Sequence, residues 1–380
     1  MKKCIIASDS FKGSLSSMQI SYICEQEIPQ YFSGCEVVPI PVADGGEGTV
    51  DCVFAALGAE PVTIEVCGPF MERTTATYAV HGKDAVVELA SAAGLTLAGS
   101  RREPSNTSTY GVGELMRDAI ERGCTHIYLG LGGSATNDGG CGIAAALGVK
   151  FYNYNGVSYV PTGGTLKNLA IIDNSAALEL LEGIEITIMC DVTNPLFGKN
   201  GAAYVYGPQK GADEYEVQLL DQGLEQLNSV FISSLGKDLT YIKGGGAAGG
   251  AAAGVMAMLG GSIKSGIDSL LDLTGFDEEL EDCDLVITGE GRLDDQSFQG
   301  KVIDGICRRT LPKEIPVFAI VGSIGKLTVD TTLHGISAVF ETNRMHLPFE
   351  EIKGNAWEDY EQALGDAMRY LKMKERRLHL

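Results

Sequence analysis

The sequence predicts an α/β protein of two domains, from three observations. At 380 residues the chain is longer than a single hydrophobic core usually reaches. Short apolar runs repeatedly end in polar, glycine-rich loops that open helical patterns, the rhythm of parallel strands joined by crossover helices. Gly supplies 49 residues and Trp only one, which favours tight strand-to-helix turns over aromatic binding faces.

In chain order, residues 4–7 read as a first strand, 8–14 as a polar loop and 16–26 as a first helix, with Ser14 or Ser16 available as N-cap. Residues 37–40 form a second strand that runs into PVADGGEGT and the helical 50–57. From about Pro61 the pattern changes, because 62–66 and 75–80 alternate as antiparallel strands do. A further apolar run at 85–89 leads into ASAAGL. Residues 110–122 are a helix capped by Ser108 or Thr109 and closed by Gly123, and a strand at 126–129 follows. Next come the loop GLGGSATNDGG, residues 130–140, and a small-residue helix at 141–147. The β-branched strand 184–189 delivers Asp191, and 214–235 is a long amphipathic helix. After the glycine run 244–250 comes a helix at 251–259. Strands at 285–288, 317–321 and 338–341, with a loop at 289–294 after the first, precede a charged amphipathic helix at 356–374. The two ends of the chain share one rhythm. We therefore expect residues 1–62 and 280–380 to form a discontinuous Rossmann-like domain with a parallel sheet, and 63–279 to be a mixed α/β domain inserted into it.

The net charge of −21 argues against nucleic acid and anionic membrane surfaces, both of which need a basic face. Anionic small ligands would then require local Lys, Arg, Mg²⁺ or backbone donors. Ten Cys residues show no C-x-x-C pair and no metal-ligand spacing with the five His, as expected of free thiols in the cytoplasm. The apolar run after Met1-Lys2-Lys3 ends at Asp9, too early for a signal peptide. The uncharged stretch 244–263 is too rich in Gly for a membrane span.

The loop GLGGSATNDGG has the layout of an anion cradle, strand to glycine loop to helix N-terminus. Ser134 and Thr136 can donate to phosphate oxygens, and Asn137 and Asp138 can hold a metal ion or accept a proton. Its first residues also satisfy G-x-G-x-x-A, but no Asp or Glu occurs between Asp138 and Asp173 to hold a ribose, so a nicotinamide dinucleotide site loses ground. GSIGKLT at 322–328 lacks the first P-loop glycine, since position 320 is Ile320. Protein-kinase motifs are absent. At the predicted ligand edge of the sheets stand Asp44 with Glu47, and Glu290 with Asp294 and Asp295; Asp191 ends a strand. Lys12 and Arg292, and more weakly Lys210, can neutralise anionic groups. The run 244–250 is a second phosphate loop, a hinge or a close helix-packing surface.

Collected in order, DSFKGSLSS, PVADGGEGT, ASAAGL, EPSNTSTYGVGEL, GLGGSATNDGG, CDVTNPLFGKNGAA, YGPQKGA, GGGAAGG and TGEGRLDDQS resemble the glycerate kinase family that is unrelated to P-loop and protein kinases. The resemblance implies transfer of the ATP γ-phosphoryl group to D-glycerate with Mg²⁺, in a cleft between two dissimilar α/β domains. It implies chiefly a 2-kinase; a 3-phosphoglycerate-forming enzyme is the alternative and a hydroxy-acid oxidoreductase a remote one. On this reading Gly132, Gly133, Ser134, Thr136 and Asn137 hold the nucleotide, Asp138 with Asp44 holds the metal, and Asp191 is the base. Lys12 and Arg292 are the catalytic cations, and Ser10, Asp44, Glu47, Asn194 and Glu290 bind substrate. A homo-oligomer is compatible with the sequence. No functional motif marks the last fifty or so residues.

Overall fold

The computed structural model describes residues 1–42 and 49–378, divided into two units with separate sheets and separate cores. Asp44 and Glu47 lie outside the described residues.

One unit takes residues 1–42, 51–57 and 267–378. Its five strands are all parallel, in the order Ile336–Glu341, Val317–Ile324, Leu285–Leu293, Lys3–Ile6, Glu36–Pro39. Cys4, Ile5 and Ile6 are fully buried, as parallel strands covered on both faces should be. The first strand pairs with its successor in sequence on one side and with a strand some 280 residues later on the other. The winding reverses there, so the loops at the carboxyl ends diverge and leave a crevice. Helix Ser17–Tyr31 starts in a capping box: the Ser16 hydroxyl accepts from the Gln19 amide, and the Gln19 side chain accepts from the Ser16 amide. Helix Ala356–Leu378 shares one core with it through Tyr360, Leu364 and Ala367 against Ile20, Ile23 and Cys24.

Of residues 289–294, expected as a loop, 289–293 instead extend the strand Leu285–Leu293, because 317–324 is long enough to pair with them. Glu290 and Arg292 therefore stand two apart on one strand and share a face.

The other unit takes residues 49–50 and 58–266. Its sheet runs Ser262–Lys264, Glu185–Met189, His126–Gly130, Asp84–Glu88, Arg73–His81, Glu60–Cys67. The first four strands are parallel, and the last two are the antiparallel pair that the alternation at 62–80 predicts. Helix Glu214–Val230 is capped by Asp213, whose carboxylate accepts from the Glu216 amide, and it ends in a wider turn at Phe231–Leu235. Among the described residues no helix is long and apolar enough to cross a membrane.

Candidate active site

The loop 130–140 of the mixed unit is the meeting point of five of the sequence motifs. The Leu95 amide of ASAAGL donates to the Gly133 carbonyl, and the Ala135 amide donates back to Ala93. The Thr107 hydroxyl of EPSNTSTYGVGEL donates to the Ala135 carbonyl at 3.1 Å. From GGGAAGG, the Gly249 carbonyl accepts from the Gly139 amide. A Cβ on Gly249 would come within 2.1 Å of the Thr136 carbonyl, and one on Gly254 within 1.9 Å of the Gly139 carbonyl. Of the three roles open to the run 244–250, the structure selects close packing: glycine lets this backbone lie directly on the loop. Ala248 adopts φ 51° in the same stretch, a strained conformation for a residue with a Cβ.

Asp138 is fully buried and its carboxylate accepts four hydrogen bonds. One oxygen takes the Thr109 amide at 2.8 Å, the Thr109 hydroxyl at 2.9 Å and the Gly142 amide at 3.1 Å; the other takes the Gly140 amide at 3.1 Å. Burial pushes its pKa up against the pull of those donors. This corrects the expectation of a metal ligand, because its oxygens are already committed to the start of helix Cys141–Ala146. Asp138 is the built-in anion of that helix N-terminus, and Thr109, expected as a helix cap, relays the arrangement by accepting from the Ile143 amide at 3.0 Å.

Lys210, from YGPQKGA, is 2 % exposed and donates to Ser134 Oγ at 2.9 Å and to the Thr136 carbonyl at 2.7 Å. Burial pushes its pKa down to about 7, opposed by Asp138. Its neighbours include polar atoms with no hydrogen-bond partner among the described residues: Thr136 Oγ1 and both side-chain atoms of Asn137, each residue being 0 % exposed. Such orphans are rare in a finished interior and mark places where a ligand or water belongs. Gly132 is half-buried and Gly133 exposed, so the accessible part of the loop is its first half.

Asp191 follows the strand Glu185–Met189 and accepts from the Gly266 amide at 3.0 Å. Asn194, expected to touch substrate, has both ends of its amide engaged: it donates to the Asn200 carbonyl and accepts from the Tyr206 hydroxyl at 2.7 Å. It pins the 190–206 segment.

In the parallel-sheet unit, Ser10, Lys12, Glu290 and Arg292 come together in one pocket of about 450 Å³ at the switch point. Asp9, Lys301, Ser323 and Asn343 also line it, and Phe11, Leu347, Phe349 and Ile352 give it an apolar wall. Glu290 is 9 % exposed, and its Oε1 is buried with no hydrogen-bond partner among the described residues. Burial pushes its pKa up to about 7; Ser297 and Lys301 oppose the shift, and Asp9 and Asp294 add to it. Arg292 is largely exposed, 3.9 Å from Asp294.

Sequence reasoning undervalued Lys210, whose one signal was its place inside a glycine-flanked motif. It missed the wall at 342–359 altogether, because apolar residues spread over a turn and two helix starts carry no spacing signature. Among the described residues no group of three or more His, Cys, Asp or Glu side chains could hold a metal ion.

A sequence profile of the glycerate kinase family matches residues 4–372. A protein named glycerate kinase from Bacillus cereus is 42 % identical over 362 residues, 94 % of this chain and 95 % of that protein. One named glycerate 2-kinase from Escherichia coli is 42 % identical, covering 89 % of this chain and 90 % of its own length. A crystal structure from Salmonella typhimurium LT2, assigned to glycerate kinase 2, superposes with a TM-score of 0.88 at 37 % identity over 99 % of both chains.

Proposed function

The chain belongs to the glycerate kinase family, and from that membership we propose that it moves the γ-phosphoryl group of ATP to the 2-hydroxyl of D-glycerate, giving 2-phosphoglycerate and ADP. The observation that carries the reading is the pocket at the switch point, where Lys12, Arg292 and Lys301 gather in a protein of net charge −21. Such a cluster in so acidic a chain suits ligands that are themselves anionic, as ATP and glycerate are. The choice of the 2-hydroxyl is supported by the name of the Escherichia coli relative.

Phosphoryl transfer asks a protein chiefly for positioning and charge neutralisation. We assign anion binding to Gly132, Gly133, Ser134, Thr136 and Asn137, and add Lys210 beneath them as the group that holds the loop in place. Lys12 and Arg292 offset charge on the reacting groups. Mg²⁺ takes one or two protein carboxylates and otherwise waters and phosphates, so the absence of a three-carboxylate cluster among the described residues is no obstacle. Asp9 is a pocket carboxylate that would hold it, and the ion would there neutralise phosphate charge. Asp191 is assigned to accept the proton of the substrate hydroxyl. Asp191→Asn is expected to lower kcat by about 10²–10⁴-fold, read in a coupled assay at saturating substrates; an unchanged kcat removes Asp191 from the chemistry.

A cytoplasmic location fits ten cysteines that are all free thiols. The reading as a whole is tested by ADP release with D-glycerate, followed by phosphorus NMR of the product. No ADP release sinks the kinase reaction, and a 3-phosphoglycerate signal moves the site of transfer to the other hydroxyl.

A further inference from the structure

The pocket at the switch point has features that a three-carbon hydroxy acid does not need. Glycerate carries almost no apolar surface, yet one wall consists of Phe11, Leu347, Phe349 and Ile352. Phe349, which lines the pocket, is 46 % exposed. The wall is built rigidly. The Asn343 side chain donates to the Leu347 carbonyl at 2.9 Å and accepts from the Leu347 amide at 3.0 Å, fixing the turn that presents Leu347. Phe349 lies against Gly13 of DSFKG, where φ is +83° and an added Cβ would stand 3.1 Å from the ring. At about 450 Å³ the space is in the range of cofactor sites, and a glycerate alone would leave most of it empty. The same pocket is lined by Glu290, more than nine-tenths buried, whose Oε1 has no hydrogen-bond partner among the described residues and can only be satisfied by a donor. Lys12, Arg292, Lys301 and Lys353 also line it, together with the carboxylates of Asp9 and Asp359.

A flat ring, donor hydroxyls and several negative charges in one molecule are the chemistry of a nucleoside polyphosphate. We propose that this pocket takes the nucleoside half of a purine nucleoside triphosphate, the base against Phe349 and Leu347 and the ribose hydroxyls donating to Glu290. The proposal rests on the ATP-dependent reading above and deepens it. It gives the last fifty residues, which carry no motif, a function as the wall of the nucleotide site.

The test uses the full-length chain and its single tryptophan, Trp357, which follows the pocket-lining Ala356. Adenosine and ADP are titrated without D-glycerate, with Trp357 emission and calorimetric heat as readouts, on wild type, F349A and E290Q. Both ligands are expected to bind the wild type. Each variant should weaken ADP by about tenfold or more while the KM for D-glycerate moves by less than about twofold. Adenosine that gives neither signal overturns the assignment, and so does a rise in the KM for D-glycerate with ADP affinity unchanged. Phe349 is half exposed and Glu→Gln keeps the side-chain shape, and melting curves of both variants verify the fold. A wild-type protein that binds adenosine and ADP but releases no ADP with D-glycerate retains the nucleoside site and sinks the phosphoryl-transfer reading alone.

Discussion

Asp138→Asn is expected to destabilise the mixed unit by about 2–4 kcal/mol and to abolish activity. The arithmetic follows from the donors. A carboxylate satisfies four hydrogen bonds without competition, whereas an amide must turn its NH₂ group towards the three donors on one side or the single Gly140 amide on the other. At least one buried N–H then faces another donor, at a cost of about 1–3 kcal/mol, and the charge-assisted bonds to the rest weaken. Because Thr109 also accepts from the Ile143 amide, the loss spreads into two helix starts. Urea unfolding measures the stability and the coupled assay measures the activity. The design separates two roles for the residue: a metal ligand replaced by Asn would leave stability near wild type and change only the Mg²⁺ dependence, and that result would return Asp138 to the metal site.

Lys210→Met is expected to move stability and activity in opposite directions. The Lys210 pKa falls from 10.5 to about 7 in the folded protein, so the native state near neutral pH carries a desolvated amine that water would keep charged. Between about pH 7 and 10.5 the unfolded chain binds more protons than the folded one, so stability rises with pH through that window. At about 1.4 kcal/mol per pKa unit the cost near pH 7 is on the order of 4–5 kcal/mol. Loss of two hydrogen bonds, about 1 kcal/mol each, offsets part of the gain. The variant should therefore be more stable than wild type by on the order of 2 kcal/mol at pH 7 and lose the upward slope of stability at higher pH. Its activity should fall by about 100-fold or more, because Ser134 and the Thr136 carbonyl lose the group that positions them. A variant with wild-type kcat and KM would reduce Lys210 to packing.

Much of the protein was legible because parallel α/β architecture writes itself locally. The buried run at 4–7, the N-cap choice of Ser14 or Ser16, and the alternation at 62–80 each depend on neighbours within a few residues. The loop 130–140 was legible as a special backbone for the same reason. Its employment was not. Whether Asp138 faces a ligand or the amides of Gly140 and Gly142 depends on where Thr109, 29 residues earlier, enters the core. The same holds for Asn194, whose partner Tyr206 lies 12 residues away. The strand Leu285–Leu293 runs five residues beyond the 285–288 that its composition predicts, since the extension is stabilised by pairing with 317–324.

The sequence by itself determined the α/β class, the placing of glycine where the backbone must turn or approach closely, the demand for local cations in an acidic chain, and the family. Only the tertiary structure decided which polar groups are spent on the fold and which face a ligand. It committed Asp138 and Asn194 to internal hydrogen bonds, buried Lys210 beneath the loop, and brought Phe349, Leu347 and Glu290 into one pocket. The physical reason is that hydrogen bonding and desolvation are settled between residues distant in sequence, so the fate of a polar side chain is known only once its neighbours in space are known.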